Sequence, residues 1–232
     1  MPFSNRVCVV TGGTGALGAA IVRDLLEMGA RVHVTWREAR ELDRLDFKKH
    51  VTLHEADLGD EASVAAVYEK AGPVYASIHV AGGFSMSPVA EIAQADFEAM
   101  MRLNATTCFL CCREAVKAMR SAGRGPDDGG RIVNVIARPA LEPSGGMLAY
   151  STSKAAVASL TQCLAKEVNA EGILVNAVAP SIMDTPANRA AMPDADFASW
   201  PKVEEVARTM VWLASPANVL TSGTLVPVYG RA

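Results

Sequence analysis

Long apolar runs are missing from this sequence. No stretch approaches the ~18 uninterrupted apolar residues that a membrane-spanning helix requires, so no membrane partner is expected. Blocks of like charge are missing too. The 22 basic and 25 acidic side chains are interspersed and leave a formal charge of −3, without the electrostatic footprint that binds nucleic acid or anionic lipid. The opening MPFSNRVCVVTGG lacks the basic start, apolar run and small-residue cleavage site of a secretory signal, so a soluble, cytoplasmic protein is expected. Cysteine is scarce and odd in number. Of the five, Cys108, Cys111 and Cys112 read as one buried helix, and no second Cys or His cluster stands at zinc spacing. Small apolar fillers in a reducing compartment, with no metal, is the expectation.

What is present is a rhythm. Short β-branched runs alternate with helical patterns: Arg6 to Val10, then Leu17 to Met28; Arg31 to Thr35; Val51 to Glu55, then Glu61 to Lys70; Val74 to Val80; and one long helix over Phe97 to Arg120. The second half continues with Arg131 to Ile136, Tyr150 to Asn169, Ile173 to Val178, Val203 to Ala214 and Leu225 to Val228. This βαβ punctuation, over 232 residues that are half hydrophobic, predicts a single α/β domain: a doubly wound, about seven-stranded parallel sheet with helices on both faces. Strands such as VCVV and RIVNVI are apolar in succession, as burial on both faces demands. Ser121 to Gly130 reads as a connecting loop, and 180–201, mixing Pro, Asp, Met, Phe and Trp, as a flap over a substrate site.

The stretch Val7 to Gly18, VCVVTGGTGALG, is a buried strand feeding a glycine turn that opens an amphipathic helix. In a Rossmann-type fold, backbone N–H groups at such a helix start face a pyrophosphate, whose negative charge the helix dipole favours. Gly12, Gly13 and Gly15 allow the tight turn and the approach of the phosphate, and Gly18 allows helix and strand to pack closely. The alternative is an ordinary strand-to-helix turn.

With Tyr150-Ser-Thr-Ser-Lys154 added, the sequence resembles the short-chain dehydrogenases/reductases almost end to end. The resemblance implies an NAD(P)-dependent oxidoreductase with Tyr150, Lys154 and Asn104 (in MRLNATT) as its catalytic residues. It implies a cofactor site made by Gly12, Thr14, Gly15, Ala16, Leu17 and Gly18, by Asp57 and Leu58 beside the adenine, and by Ala81, Gly82 and Gly83. Pro180, Ile182 and Thr185, together with Tyr150 and Lys154, complete it, with Lys154 holding the nicotinamide ribose and Asn104 a water in a proton path. His79 and Val80 stand where the family has asparagines, and Ser181 where it has a glycine. The main departure lies thirteen positions before the tyrosine, where the family's catalytic serine is replaced by Ala137. One branch, the dihydropteridine reductases, resembles this chain there, at His79 to Gly83 and in DTPANRAAMPDADFASW (Asp184 to Trp200).

Tyr150 and Lys154 stand i and i+4 on a helix, within reach of one ligand, and the ammonium is expected to lower the phenol's pKa from about 10. Tyr150 would supply the proton to an unsaturated centre that receives hydride. A conjugated acceptor spreads its charge, so the donor missing at Ala137 costs less there than on an isolated ketone. Ser144 stands either as a substitute donor or as a turn residue, Arg138 at a polar substrate edge or in solvent, and Trp200 in the flap. A 3-oxoacyl or other carbonyl reductase, and a catalytically idle cofactor-binding scaffold, are the alternatives. After the second strand, Trp36 is neutral and Arg37 offers phosphate-binding donors, so NADPH is expected over NADH; Glu38 and the likeness to the dihydropteridine branch favour NADH. The resemblance further implies a homodimer or homotetramer.

Overall fold

A computed structural model describes residues 1–231. Seven parallel strands form one sheet in the order β3-β2-β1-β4-β5-β6-β7. They are β1 (Val7–Thr11), β2 (Arg31–Trp36), β3 (Thr52–Glu55), β4 (Val74–His79), β5 (Gly130–Val135), β6 (Ile173–Pro180) and β7 (Leu225–Val228). Between them run α1 (Ala16–Glu27), α2 (Glu61–Ala71), α3 (Gln94–Met101), α4 (Thr107–Ser121), α5 (Arg138–Leu141), α6 (Leu148–Val168), α7 (Pro186–Ala191) and α8 (Val203–Ala214). Among the described residues no helix is long and apolar enough to cross a membrane.

Both faces of the sheet are covered, and the alternation of side chains divides the core in two. In β1, Cys8 and Val10 join the layer under α1 and α8, while Val7 and Val9 join the layer under α2, α4 and α6. An apolar run is therefore what each central strand requires. The order reverses between β1 and β4, whose connections leave in opposite directions, and this opens a crevice at the strands' C-terminal ends.

Local chemistry sets the element ends. Asp60 accepts from Ser63 N at 2.7 Å and caps α2, and Gly72, with φ of +75°, ends it. The expected long helix over Phe97 to Arg120 is two helices joined without a break by a π-helical turn, Arg102–Thr106. That extra residue per turn rotates Asn104 inward, a distortion apolar periodicity does not reveal.

Candidate active site

The glycine turn is shaped by exclusion. A Cβ on Gly12, whose φ is +66°, would stand 2.7 Å from Ala81 N, and one on Gly18 would strike the Gly12 carbonyl. Strand and helix thus approach each other closely, and α1 begins at Ala16 with first-turn N–H groups that have no intrahelical acceptor. They face a cleft of about 480 Å³ lined by Gly12, Thr14, Gly15, Ala16, Leu17 and Gly18. Arg37, Asp57, Leu58, Ala81, Gly82 and Thr185 also line it. The cleft has the form a dinucleotide needs, an open helix N-terminus over a floor kept clear of side chains. Asp57 accepts from Gly59 N at 2.9 Å, and Thr185 caps α7 through Asn188 N.

A second cleft, about 370 Å³, adjoins the first and shares Leu17, Val80, Gly82 and Met183 with it. It is lined by Gly83, Phe84, Ile136, Ala137, Tyr150, Lys154 and Pro180. The structure therefore brings Tyr150, Lys154, Gly83 and Pro180 to one place, with Asn104 directly behind. Buried Asn104 accepts from Gly83 N at 2.9 Å and donates to Gly83 O at 3.1 Å and Ser153 Oγ at 3.0 Å. Gly82 lies across them: a Cβ there would sit 3.4 Å from Lys154 Nζ and crowd Asn104 Oδ1.

Burial, rather than mutual attraction, governs the two titratable groups. It pushes the Tyr150 phenol up to about 12, with no lowering from Lys154. Lys154, only 6 % exposed, donates from Nζ to Val135 O at 2.9 Å, and burial brings its ammonium down to about 8. At neutral pH the tyrosine holds its proton and the lysine its charge.

Ala137 is 6 % exposed and lines the Tyr150 cleft, so no hydroxyl stands at that position, and Ser181, which also lines the cleft, donates its hydroxyl to Tyr229 O at 2.8 Å. Ser144 does not replace the missing hydroxyl. That residue lines a separate depression with Pro139, Pro143, Leu148 and Thr152 and is not among the residues that line the Tyr150 cleft. Arg138 is held at 2.8 Å by Glu142, one turn on, with its guanidinium over the Tyr229 ring, and it lines neither cleft. Trp200, expected in a flap, is 7 % exposed and packs on Phe197, and it lines neither cleft. Both ends of its segment are tied together, with Asp184 N donating to Pro201 O at 3.0 Å. Ile182 is exposed and lines neither cleft, and the residue that does reach both is its neighbour Met183.

Three further lining residues carry no sequence signal of their own. Phe84 is 62 % exposed and meets the Tyr150 ring edge-on at 4.9 Å. Met183 walls both clefts as an ordinary apolar residue. Glu41 lies on a short 3₁₀ turn past β2, where its carboxylate accepts from Thr14 Oγ1 at 2.9 Å and Arg37 N at 3.4 Å. Glu41, not Glu38, is the glutamate that lines this cleft.

A family model described as short chain dehydrogenase matches residues 6–196. The chain is 34 % identical to cis-4-hydroxycyclohexanecarboxylate dehydrogenase of Sinomonas cyclohexanicum, over 98 % of this chain and 96 % of that one. It is 29 % identical to the rhamnolipids biosynthesis 3-oxoacyl-[acyl-carrier-protein] reductase of Pseudomonas aeruginosa, over 98 % and 96 %. Among solved structures, a blue fluorescent protein from a metagenomic library in complex with NADPH superposes with a TM-score of 0.85 at 28 % identity, covering 100 % of this chain and 99 % of that one.

Proposed function

The chain belongs to the short-chain dehydrogenase/reductase family and is an NAD(P)-dependent oxidoreductase, and from that premise we propose that it reduces a small conjugated acceptor, such as a quinonoid dihydropterin, with NADPH. The observation that carries this reading is the methyl group of Ala137 where the family presents a hydroxyl. An isolated ketone concentrates developing charge on one oxygen and needs donors there, whereas a conjugated ring disperses it. The walls agree: Phe84, Ile136, Val80 and Met183 are apolar, and the exposed Phe84 ring beside Tyr150 offers a flat acceptor an aromatic neighbour.

In this reading the first-turn N–H groups of α1 would bind the pyrophosphate, and Lys154, in the adjoining cleft, would hold the nicotinamide ribose. The reduced nicotinamide, when bound, supplies hydride from its C4. Tyr150 gives its phenolic proton to the acceptor atom that gains electron density, so one hydride and one proton are added. The charge on Lys154 then offsets the phenolate, and Asn104 fixes the loop that carries Gly83. A membrane or nucleic-acid partner plays no part.

Cofactor choice rests on Arg37, exposed at the end of β2 on the cleft rim. Its planar donors suit a 2′-phosphate, and the NADPH complex of the similar solved structure supports the same preference. The Glu41 carboxylate opposes it. Arg37→Ala is expected to abolish the preference for NADPH, and Glu41→Gln to strengthen it. A cytoplasmic homodimer or homotetramer belongs to this reading, supported by the groove between α4 and α6 that Phe109, Val116, Leu160 and Leu164 line.

A second reading, a 3-oxoacyl or other carbonyl reductase, is favoured by the Pseudomonas aeruginosa relative. Turnover of quinonoid dihydropterin, simple quinones and acetoacetyl thioesters, each with NADPH and NADH, separates the two. The conjugated acceptors are expected to give the higher kcat/KM with NADPH. Preference for the thioester would establish the second reading, and cofactor binding without turnover of any acceptor would indicate an idle scaffold.

A further inference from the structure

We propose that His79, Cys108 and Cys112, with Asn134 as a fourth ligand, form a buried binding site for one thiophilic divalent cation of the zinc class. In sequence the histidine stands far from the cysteines, and no spacing suggests a set. The fold assembles it. His79 ends β4 and is in register with Asn134 on β5, while Cys108 and Cys112, i and i+4 on α4, point at this pair from above. The ligand atoms of His79, Cys108 and Cys112 lie within 4.8 Å of one another, and all three residues are buried.

The distances suit an ion. A tetrahedral zinc held ~2.0 Å from nitrogen and ~2.3 Å from sulfur sets those two atoms ~3.5 Å apart. His79 Nδ1 and Cys112 Sγ are 3.5 Å apart, and so are Cys112 Sγ and Asn134 Oδ1. The 2.8 Å contact between His79 Nδ1 and Asn134 Oδ1 must open slightly as both turn to the metal. Two thiolates and a neutral imidazole balance a dication, so the occupied site has no net charge to bury. Binding releases two thiol protons to solvent.

The second shell can follow. Without an ion, Nδ1–H of His79 donates to Asn134 Oδ1, and Nε2 faces Ser77 Oγ at 2.8 Å and Tyr68 OH at 3.1 Å. Coordination through Nδ1 moves the ring proton to Nε2. Ser77 Oγ accepts from Nε2 and can donate to Tyr68 OH, whose own proton turns to the adjoining Cys111 sulfur, so each donor keeps an acceptor. Asn134 keeps its bond from Nδ2 to Thr161 Oγ1 at 2.9 Å. Because the metal-free network is already closed, the ion acts as a staple joining β4, β5 and α4 rather than as a requirement for folding.

The test loads the full-length protein with Cd²⁺ or Zn²⁺ under reducing conditions, removes excess by dialysis and measures bound metal by elemental analysis. Cd²⁺ also reports thiolate ligation by its ultraviolet charge-transfer band. One equivalent with that band is expected for the wild type and for Cys163→Ser, which removes the exposed thiol. Cys108→Ser, Cys112→Ser and His79→Asn should each weaken binding at least tenfold, with far-UV circular dichroism confirming that they fold. Zn²⁺ should raise the melting temperature of the wild type and not of these variants. Absence of stoichiometric metal in the wild type, or a band that survives Cys108→Ser and Cys112→Ser or disappears with Cys163→Ser, would overturn the site.

Discussion

In the proposed reading Ala137 stands where an oxyanion would look for a hydroxyl, and it lines the same cleft as Tyr150. Ala137→Ser is expected to raise kcat/KM toward a simple ketone, on the order of tenfold, because a positioned donor acts where charge develops. Steady-state kinetics on a cyclic ketone check this. A clear loss in a folded variant would remove Ala137 from the reacting centre. Lys154 gives a second test. Burial sets its ammonium at about 8, so its charge is lost as pH rises through that value, while Tyr150, at about 12, stays protonated. The alkaline limb of kcat/KM, which reports the free enzyme, is therefore expected to fall with an apparent pKa of about 8. A profile flat to pH 10 would contradict this role for Lys154. Tyr150, Lys154 and Asn104 were legible in the sequence because their functional groups stand in a recognisable order along it. Met183, Phe84 and Glu41 were not, since a methionine, a phenylalanine and a glutamate acquire meaning only from the neighbours the fold gives them.

The elements were legible to the extent that one physical rule governed each. Apolar runs capped by turns marked every strand to within a residue or two, and Leu225–Val228 and Val203–Ala214 have the bounds that their patterns predicted. The π-helical turn at Arg102–Thr106 was hidden because one extra residue preserves the look of an apolar helix. The turn into α6 misled for a related reason. Proximity in sequence suggested Ser144 as a donor, yet it lines a different depression, with Pro139, Ala140 and Thr152, from the one Tyr150 lines. At the β1–α1 turn, Gly12 holds a positive φ against the Ala81 backbone. Gly12→Ala is expected to weaken NADPH binding at least tenfold and to lower stability by about 1 to 3 kcal/mol, through a strained backbone and a forced separation of β1 from the loop after β4. Fluorescence titration and chemical denaturation measure the two effects. Unchanged affinity would mean that the cofactor does not depend on this turn.

Across the whole molecule, the reversal of strand order between β1 and β4 places one helix N-terminus beside the β4 loop, and the two adjoining clefts follow from that topology. Composition and rhythm alone led to this architecture, because a doubly wound parallel sheet is the economical way to cover seven apolar strands on both faces. The substrate was not legible at this scale, since many chemistries share the fold and differ only in wall residues. The proposal places the cofactor in the larger cleft and has Tyr150, in the smaller one, protonate the acceptor. It is tested most directly by measuring Tyr150→Phe for two quantities, NADPH affinity by fluorescence and turnover of the best acceptor by NADPH oxidation. The ring's packing against Phe84 survives in that variant and only the proton donor is lost. Affinity within a factor of about three of wild type, with turnover reduced at least a hundredfold, is the predicted result. Turnover close to wild type would exclude Tyr150 as the proton donor.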